Sequence, residues 1–277
     1  MSAGAPRTPA QRFWTGVLYV SSVLVLVFLL APILAIVPLS VNESRFLTYP
    51  MTGFSWRWYA DLGTDPRWGR ALVNSAIIGI ASTALSMVLG TLAAIGLNRA
   101  RFPGHGLVTA LVLSPMIVPV VISAVGFYLF YAPLGLTGTY LGLILGHTAL
   151  AVPFVVVTVS ATLANFDHGL MRAAANLGAS PLTAFRRVMM PLIAPGLAAG
   201  ALFAFATSLD EVVMVLMVAG PDQRTLPREM FSGIRENISP TITAIATILI
   251  ILAVALLATL EALRRRGERL KAGGGAG

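Results

Sequence analysis

The chain has 277 residues, of which 57% are hydrophobic and 11% charged; its mean hydropathy is +0.84 and it has no cysteine. A soluble domain carries roughly 25% charged residues, so this composition excludes an ordinary water-soluble fold, and the missing thiols exclude a disulfide framework, a thiolate metal site and a cysteine nucleophile. The formal charge of +8 does not mark a nucleic-acid surface, because the basic residues are scattered between apolar runs and do not gather on one soluble face.

A membrane-spanning helix needs about 20 mostly apolar residues. Six runs reach that length: 14–39, 72–97, 107–130, 139–163, 195–218 and 240–263. The expected fold is an all-α membrane protein with six transmembrane helices over 14–263, between a cytoplasmic segment at 1–13 and a basic cytoplasmic tail at 264–277. The first run exceeds the roughly 7–15 apolar residues of a signal-peptide core and is expected to stay as a helix. After it, residues 41–70 carry Phe54, Trp56, Trp58, Tyr59 and Trp68. Such aromatics favour the headgroup level, which predicts a helix lying along the interface.

Residues 98–106 form a short basic turn and 132–138 a tight outer turn. Pro32, Pro38, Pro115, Pro119 and Pro153 lie inside spans and predict kinks. Gly138, Gly142 and Gly146, and again Gly196 and Gly200, recur at spacing four and predict close helix packing. His147, beside Gly146, reads as a hydrogen-bonded helix contact. Phe127, Tyr128 and Tyr131 could offer cation–π contacts, although packing is the simpler role. His105, His147 and His168 lack ligand spacing, so no metal site is expected. Leu226, Met230, Ile234 and Ile238 mark a short amphipathic helix in the last outer loop.

With the N-terminus inside, the cytoplasmic pieces hold Arg7, Arg12, Arg99, Arg101, Arg172, Arg186 and Arg187. The tail adds Arg264, Arg265, Arg266, Arg269 and Lys271, so most of the 19 basic residues lie on that side. This asymmetry predicts cytoplasmic termini, with the tail held against anionic lipid.

Two polar features stand out. The cytoplasmic segment 165–190 reads as a helix stopped by Gly178, then a second helix opened by Ser180 as N-cap and Pro181 at its first position. A helix–turn–helix elbow with small alanines suits docking into a groove of another protein. In the fifth span, Thr207, Ser208, Asp210 and Glu211 fall in one sector of a continuous helix with Gly200 and Ala204. A carboxylate there costs about 2.5–3.5 kcal/mol on insertion scales, so the pair is expected either to line a pathway that attracts cations or to pair with Arg70, Arg224 or a partner subunit.

The elbow resembles the EAA loop of ABC importer permeases. Ala173, Ala174, Leu177, Gly178, Val188 and Pro191 fall at matching positions, whereas Arg172 stands where the family usually has Glu and Met190 where it has Leu. The resemblance extends through Ser208-Leu209-Asp210-Glu211-Val212-Val213, Ala219-Gly220-Pro221, Arg224-Thr225-Leu226-Pro227, Met230-Phe231 and 234–241, and through Trp58-Tyr59 and Asn74-Ser75, to the permeases of spermidine/putrescine importers. It implies a type I ABC importer permease working with a second permease subunit, two ATP-binding ATPase copies and an extracytoplasmic solute-binding protein. Arg172, Ala173, Ala174, Leu177, Gly178, Val188 and Pro191 would then couple to the ATPase, and Thr207, Ser208, Asp210 and Glu211 would meet the cargo. The chain shows no Gly-x-x-x-x-Gly-Lys-Ser/Thr loop, so it is expected to bind no cofactor itself, ATP-Mg being used by the partner ATPase. Relatives with other cargo (opine, phosphonate, amino-acid derivative, metal or thiamine) share much of this pattern. A stand-alone secondary transporter would need internal repeats, and an intramembrane enzyme a His-Glu-x-x-His or Gly-x-Ser-x-Gly signature; neither is visible.

Overall fold

The computed structural model describes residues 8–99, 102–164, 166–236 and 239–273. The expectations on Arg7, Arg101, Asn165, Asn237 and Ile238, and on the side chains of the tail from Arg264 onward, lie outside the described residues. The regular structure of the described residues is all helical apart from one isolated bridge, Asn42 to Phe54. Two compact units divide it: Met1–Thr64 with Glu236–Ile250, and Asp65–Arg235 with Ile251–Gly277.

In the first unit, helix α1 (Pro9–Leu39) starts earlier than the hydropathy run. A capping box explains the difference: the Gln11 amide donates to Thr8 Oγ1 at 3.3 Å, and the Thr8 amide donates to Gln11 Oε1 at 3.0 Å. No residue of α1 is buried, which suits a helix that is apolar all round. The aromatic segment that follows folds around Asn42, which is fully buried. Its Oδ1 accepts from the Thr52 amide at 3.2 Å, and its backbone carbonyl accepts from Trp58 Nε1 at 2.6 Å. That fastens helix α2 (Arg57–Thr64) to the loop before it.

The second unit is built on helices α3 (Pro66–Arg99), α6 (Tyr140–Leu163) and α9 (Met190–Asp210). Ala94, Val155, Val159, Met189, Ile193 and Ala204 are buried in one cluster where these helices meet. Small residues let the backbones approach. A Cβ at Gly196 would lie 2.9 Å from the Thr158 carbonyl oxygen, and one at Gly200 would lie 2.8 Å from Thr158 Oγ1. The other glycine series does not form one face. Gly146 packs on Met214, but Gly138 has φ +69° and makes the turn before α6.

Between α3 and α6, the expected third span is broken. Helix α4 (His105–Leu113) and a 3₁₀ turn at Ser114–Met116 meet α5 (Val120–Tyr131) at 101°. Pro115 and Pro119 supply the cause, since neither can donate an amide and Pro119 disfavours helical backbone at Val118. Among the described residues, five helices are long and apolar enough to cross a membrane, or six if this bent pair counts as one span. Tyr131 is buried and the Phe127 ring packs beside it, tilted by 52° with centroids 5.3 Å apart, whereas Tyr128 stays exposed.

The fifth span is also redrawn. It begins at Pro181, not 195: α8 (Pro181–Ala184) passes through a π turn at Phe185–Met189 straight into α9. The wide turn closes with the Met190 amide bonded to the Phe185 carbonyl, immediately before Pro191, which has no amide to give. At the far end α9 stops at Asp210, and a separate helix α10 (Val213–Val218) follows. Helix α11 (Leu226–Glu236) is the short loop helix read from spacing; Leu226 is buried, but Ile234 is exposed. The last helix, α12 (Pro240–Gly273), extends past the expected 263 and carries the first part of the tail as helix.

Candidate coupling elbow and transport site

The elbow is α7 (Gly169–Asn176), a turn, and α8. Asp167 Oδ1 accepts from the Gly169 amide at 2.7 Å and so opens α7. At the other end the Gly178 amide donates to the Ala175 carbonyl at 2.9 Å and the Ala179 amide to the Ala174 carbonyl at 3.0 Å. This is a Schellman stop, and Gly178 takes the left-handed position with φ +80°. Ser180 Oγ then accepts from the Thr183 amide at 3.3 Å, with Pro181 at the first helical position.

The elbow is anchored from beneath by buried Ala184 and Met189. Arg172, Ala173, Leu177, Gly178 and Pro191 are exposed, and Ala174 and Val188 are half-buried. Leu177 is 89% exposed at the very turn. Between the elbow and the end of α3 lies a groove of about 670 Å³, lined by Ile95, Arg99, His168, Met171, Arg172 and Phe185 among others.

The four pathway candidates do not share one face. Ser208 is buried, Thr207 and Glu211 are half-buried, and Asp210 is exposed. Two steps of 100° separate Ser208 from Asp210, enough to turn one inward and the other outward. Glu211 is no longer helical (φ −77°, ψ 112°), and its Oε1 accepts from the Met214 amide at 2.7 Å. It therefore caps α10, and the wheel drawn for a continuous helix fails there because the helix ends. Neither carboxylate pairs with Arg70 or Arg224 among the described residues; Arg224 lies 3.6 Å from Glu229.

Ser208 belongs to a buried polar seam. Its Oγ is 2.7 Å from His147 Nδ1 on α6 and 3.2 Å from Ser82 Oγ on α3. Next to it, Ser86 Oγ donates to the Thr148 carbonyl at 3.3 Å. His147 thus makes the helix contact read from its place beside Gly146. Ser82 and Ser86 were not singled out from the sequence, although with Gly90 they repeat the spacing of four read for the other glycines.

Toward α10 the chain is held by Arg228, whose Nη1 donates to the carbonyls of Val215, Ala219 and Gly220 at 3.2–3.3 Å. These carbonyls lie at the end of a helix and its exit, and that of Val215 also accepts from the Ala219 amide at 3.1 Å. Burial, with Arg224 beside it, pulls the Arg228 pKa below its ordinary value, and Glu229 opposes that shift. On α3, Asn74 Nδ2 donates to the carbonyls of Asp222 and Arg224 at 2.8 and 2.9 Å, and Ser75 Oγ accepts from the Leu226 amide at 2.8 Å. The Asn74-Ser75 pair therefore ties the loop before α11 to α3.

Comparison with known proteins gives a consistent picture. The family model described as "Binding-protein-dependent transport system inner membrane component" matches residues 86–269. The chain is 32% identical over 241 residues to the spermidine/putrescine transport system permease protein PotC of Haemophilus influenzae, covering 87% of this chain and 93% of that one. It is 34% identical over 230 residues to the putrescine transport system permease protein PotI of Escherichia coli, covering 80% and 82%. In three dimensions it matches a chain of a bacterial ABC transporter involved in the import of the acidic polysaccharide alginate. That match has a TM-score of 0.74 at 16% identity and covers 94% of this chain and 99% of that one.

Proposed function

The chain belongs to the family of inner-membrane components of binding-protein-dependent transport systems, and from that premise we propose that it is the permease subunit through which an ABC importer moves polyamines, spermidine or putrescine. The carrying observation is the elbow: a capped, exposed helix–turn–helix continuous with α9, so that a push on α7 and α8 is delivered along a spanning helix. The ATPase subunits bind there, through Arg172, Ala173, Ala174, Leu177, Gly178, Val188 and Pro191, and hydrolyse ATP-Mg; the permease supplies no nucleotide site. A second permease subunit completes the pathway, an extracytoplasmic binding protein delivers the cargo, and both termini face the cytoplasm.

The polyamine assignment is supported by the names of the relatives above and by the chemistry of the α9 break. Asp210 is exposed within the span region, and a carboxylate facing lipid would cost about 2.5–3.5 kcal/mol. An aqueous pathway or the partner permease removes that cost. A cargo of two or more ammonium groups would be attracted by Asp210 and Glu211, with Thr207 offering a hydroxyl beside them.

The test is ATP hydrolysis by the reconstituted complex, with its binding protein loaded by spermidine, putrescine or another solute. Stimulation by polyamines supports the full reading. Stimulation only by another solute keeps the importer and removes the polyamine assignment.

A further inference from the structure

His147 is 1% exposed, and its Nδ1 is engaged with Ser208 Oγ at 2.7 Å. Its Nε2 is buried and has no hydrogen-bond partner among the described residues. Counting protons shows that no tautomer repairs this. If Ser82 gives its proton to the Gly79 carbonyl (3.2 Å), Ser208 accepts from Nδ1–H, leaving a bare Nε2. If Ser82 donates to Ser208, Ser208 donates to Nδ1, and Nε2 carries an unused proton. Leaving a buried polar atom alone forfeits its hydration with nothing in return, and most such atoms in folded proteins are paired. Thr83 Oγ1, one residue from Ser82 on α3, is likewise buried with no partner among the described residues.

The position of this defect matters. Helix α9 runs 21 residues from the elbow's π turn to Asp210, a rod of about 30 Å. Its far end is held to α3 and α6 by the Ser208 hydroxyl, two residues before the helix stops. A displacement imposed at the elbow must shift Ser208 against His147.

We propose that His147 is a positioning residue for transport, whose Nε2 acquires its hydrogen-bond partner only in a different state of the cycle, when α9 has shifted along the seam. The inference rests on the importer reading for its activity readout. Nδ1 holds the seam in the present state, and Nε2 rewards leaving it. Such a bistable contact biases an equilibrium between two packings, neither of which satisfies both nitrogens in the same way.

Asn and Gln separate the two nitrogens. An Asn amide reaches where Nδ1 lies and keeps the Ser208 bond; a Gln amide reaches where Nε2 lies and gives that bond up. In proteoliposomes holding the whole complex, His147→Asn is expected to assemble and melt within about 3 °C of wild type yet lose about tenfold in uptake. His147→Gln is expected to melt lower but to recover part of the uptake that Asn loses. In parallel, amide hydrogen exchange over 207–214 is compared between nucleotide-free and vanadate-trapped complexes. Wild type should change protection between the two, and His147→Asn should not.

Uptake by His147→Asn equal to wild type would overturn the proposal. So would losses in Asn, Gln and Ala variants that simply track melting temperature, which is the signature of packing alone. Because the exchange comparison needs no cargo, wild type that shows the change but imports no polyamine would count against the cargo assignment and not against the latch.

Discussion

Single residues show how far chemistry can be read without a fold. Glu211 and Asp210 are adjacent acids, yet one caps α10 and the other stands exposed. Glu211→Gln keeps an oxygen for the Met214 amide, whereas Glu211→Ala removes it. We expect both to lower polyamine uptake, but only Ala to destabilise the α10 end, by about 1 kcal/mol, read as lost amide protection at 213–215. Outside the spans, Asp65 accepts from Arg67 Nη2 at 2.8 Å, and these side-chain bonds hold its pKa below the ordinary carboxylate value. A depressed pKa stabilises the folded state above the unfolded value, about 3.9, and that contribution fades as pH falls through the folded value. The melting-temperature gap between wild type and Arg67→Gln should therefore be small, because Arg67 is 63% exposed. It should also be present at neutral pH and shrink toward pH 3.

At the scale of elements, the elbow was legible because each of its parts is local. A glycine stop, a serine cap and a following proline act within four residues, so their spacing alone specifies the turn. Replacing Gly178, at φ +80°, with Ala should cost roughly 1–2 kcal/mol of strain, and Ser180→Ala about 1 kcal/mol. Both should weaken binding of the ATPase subunit and leave thermal unfolding of the spans nearly unchanged, as checked by co-purification and by melting in detergent. Helix ends inside the membrane were less legible. Hydropathy stays high through 107–130, and through 195–218 on both sides of Asp210 and Glu211, because a break covered by protein leaves apolar composition untouched. Pro115 and Pro119 announced the first break in the sequence. The second, at Glu211–Val212, is marked by no proline or glycine and became visible only with the cap on α10.

Across the whole molecule, α3, α6 and α9 make one tightly fitted core, and the glycines that permit it are its points of least tolerance. Gly196→Leu would drive a side chain into the Thr158 carbonyl and Thr162. We expect a loss of about 1–3 kcal/mol and poor recovery of folded complex, measured by size-exclusion profile and melting temperature, while Gly106→Ala, with open space around it, should be neutral. The sequence by itself determined the membrane class, the number of apolar runs, the elbow with its caps and the family, because these depend on composition, periodicity and contacts a few residues apart. Only the tertiary structure decided which of Ser208 and Asp210 turns inward, that Glu211 is a cap, and that Ser82, His147 and Ser208 meet. Those contacts join residues 61 to 126 positions apart, and no local periodicity carries the relative rotation of three helices that brings them together.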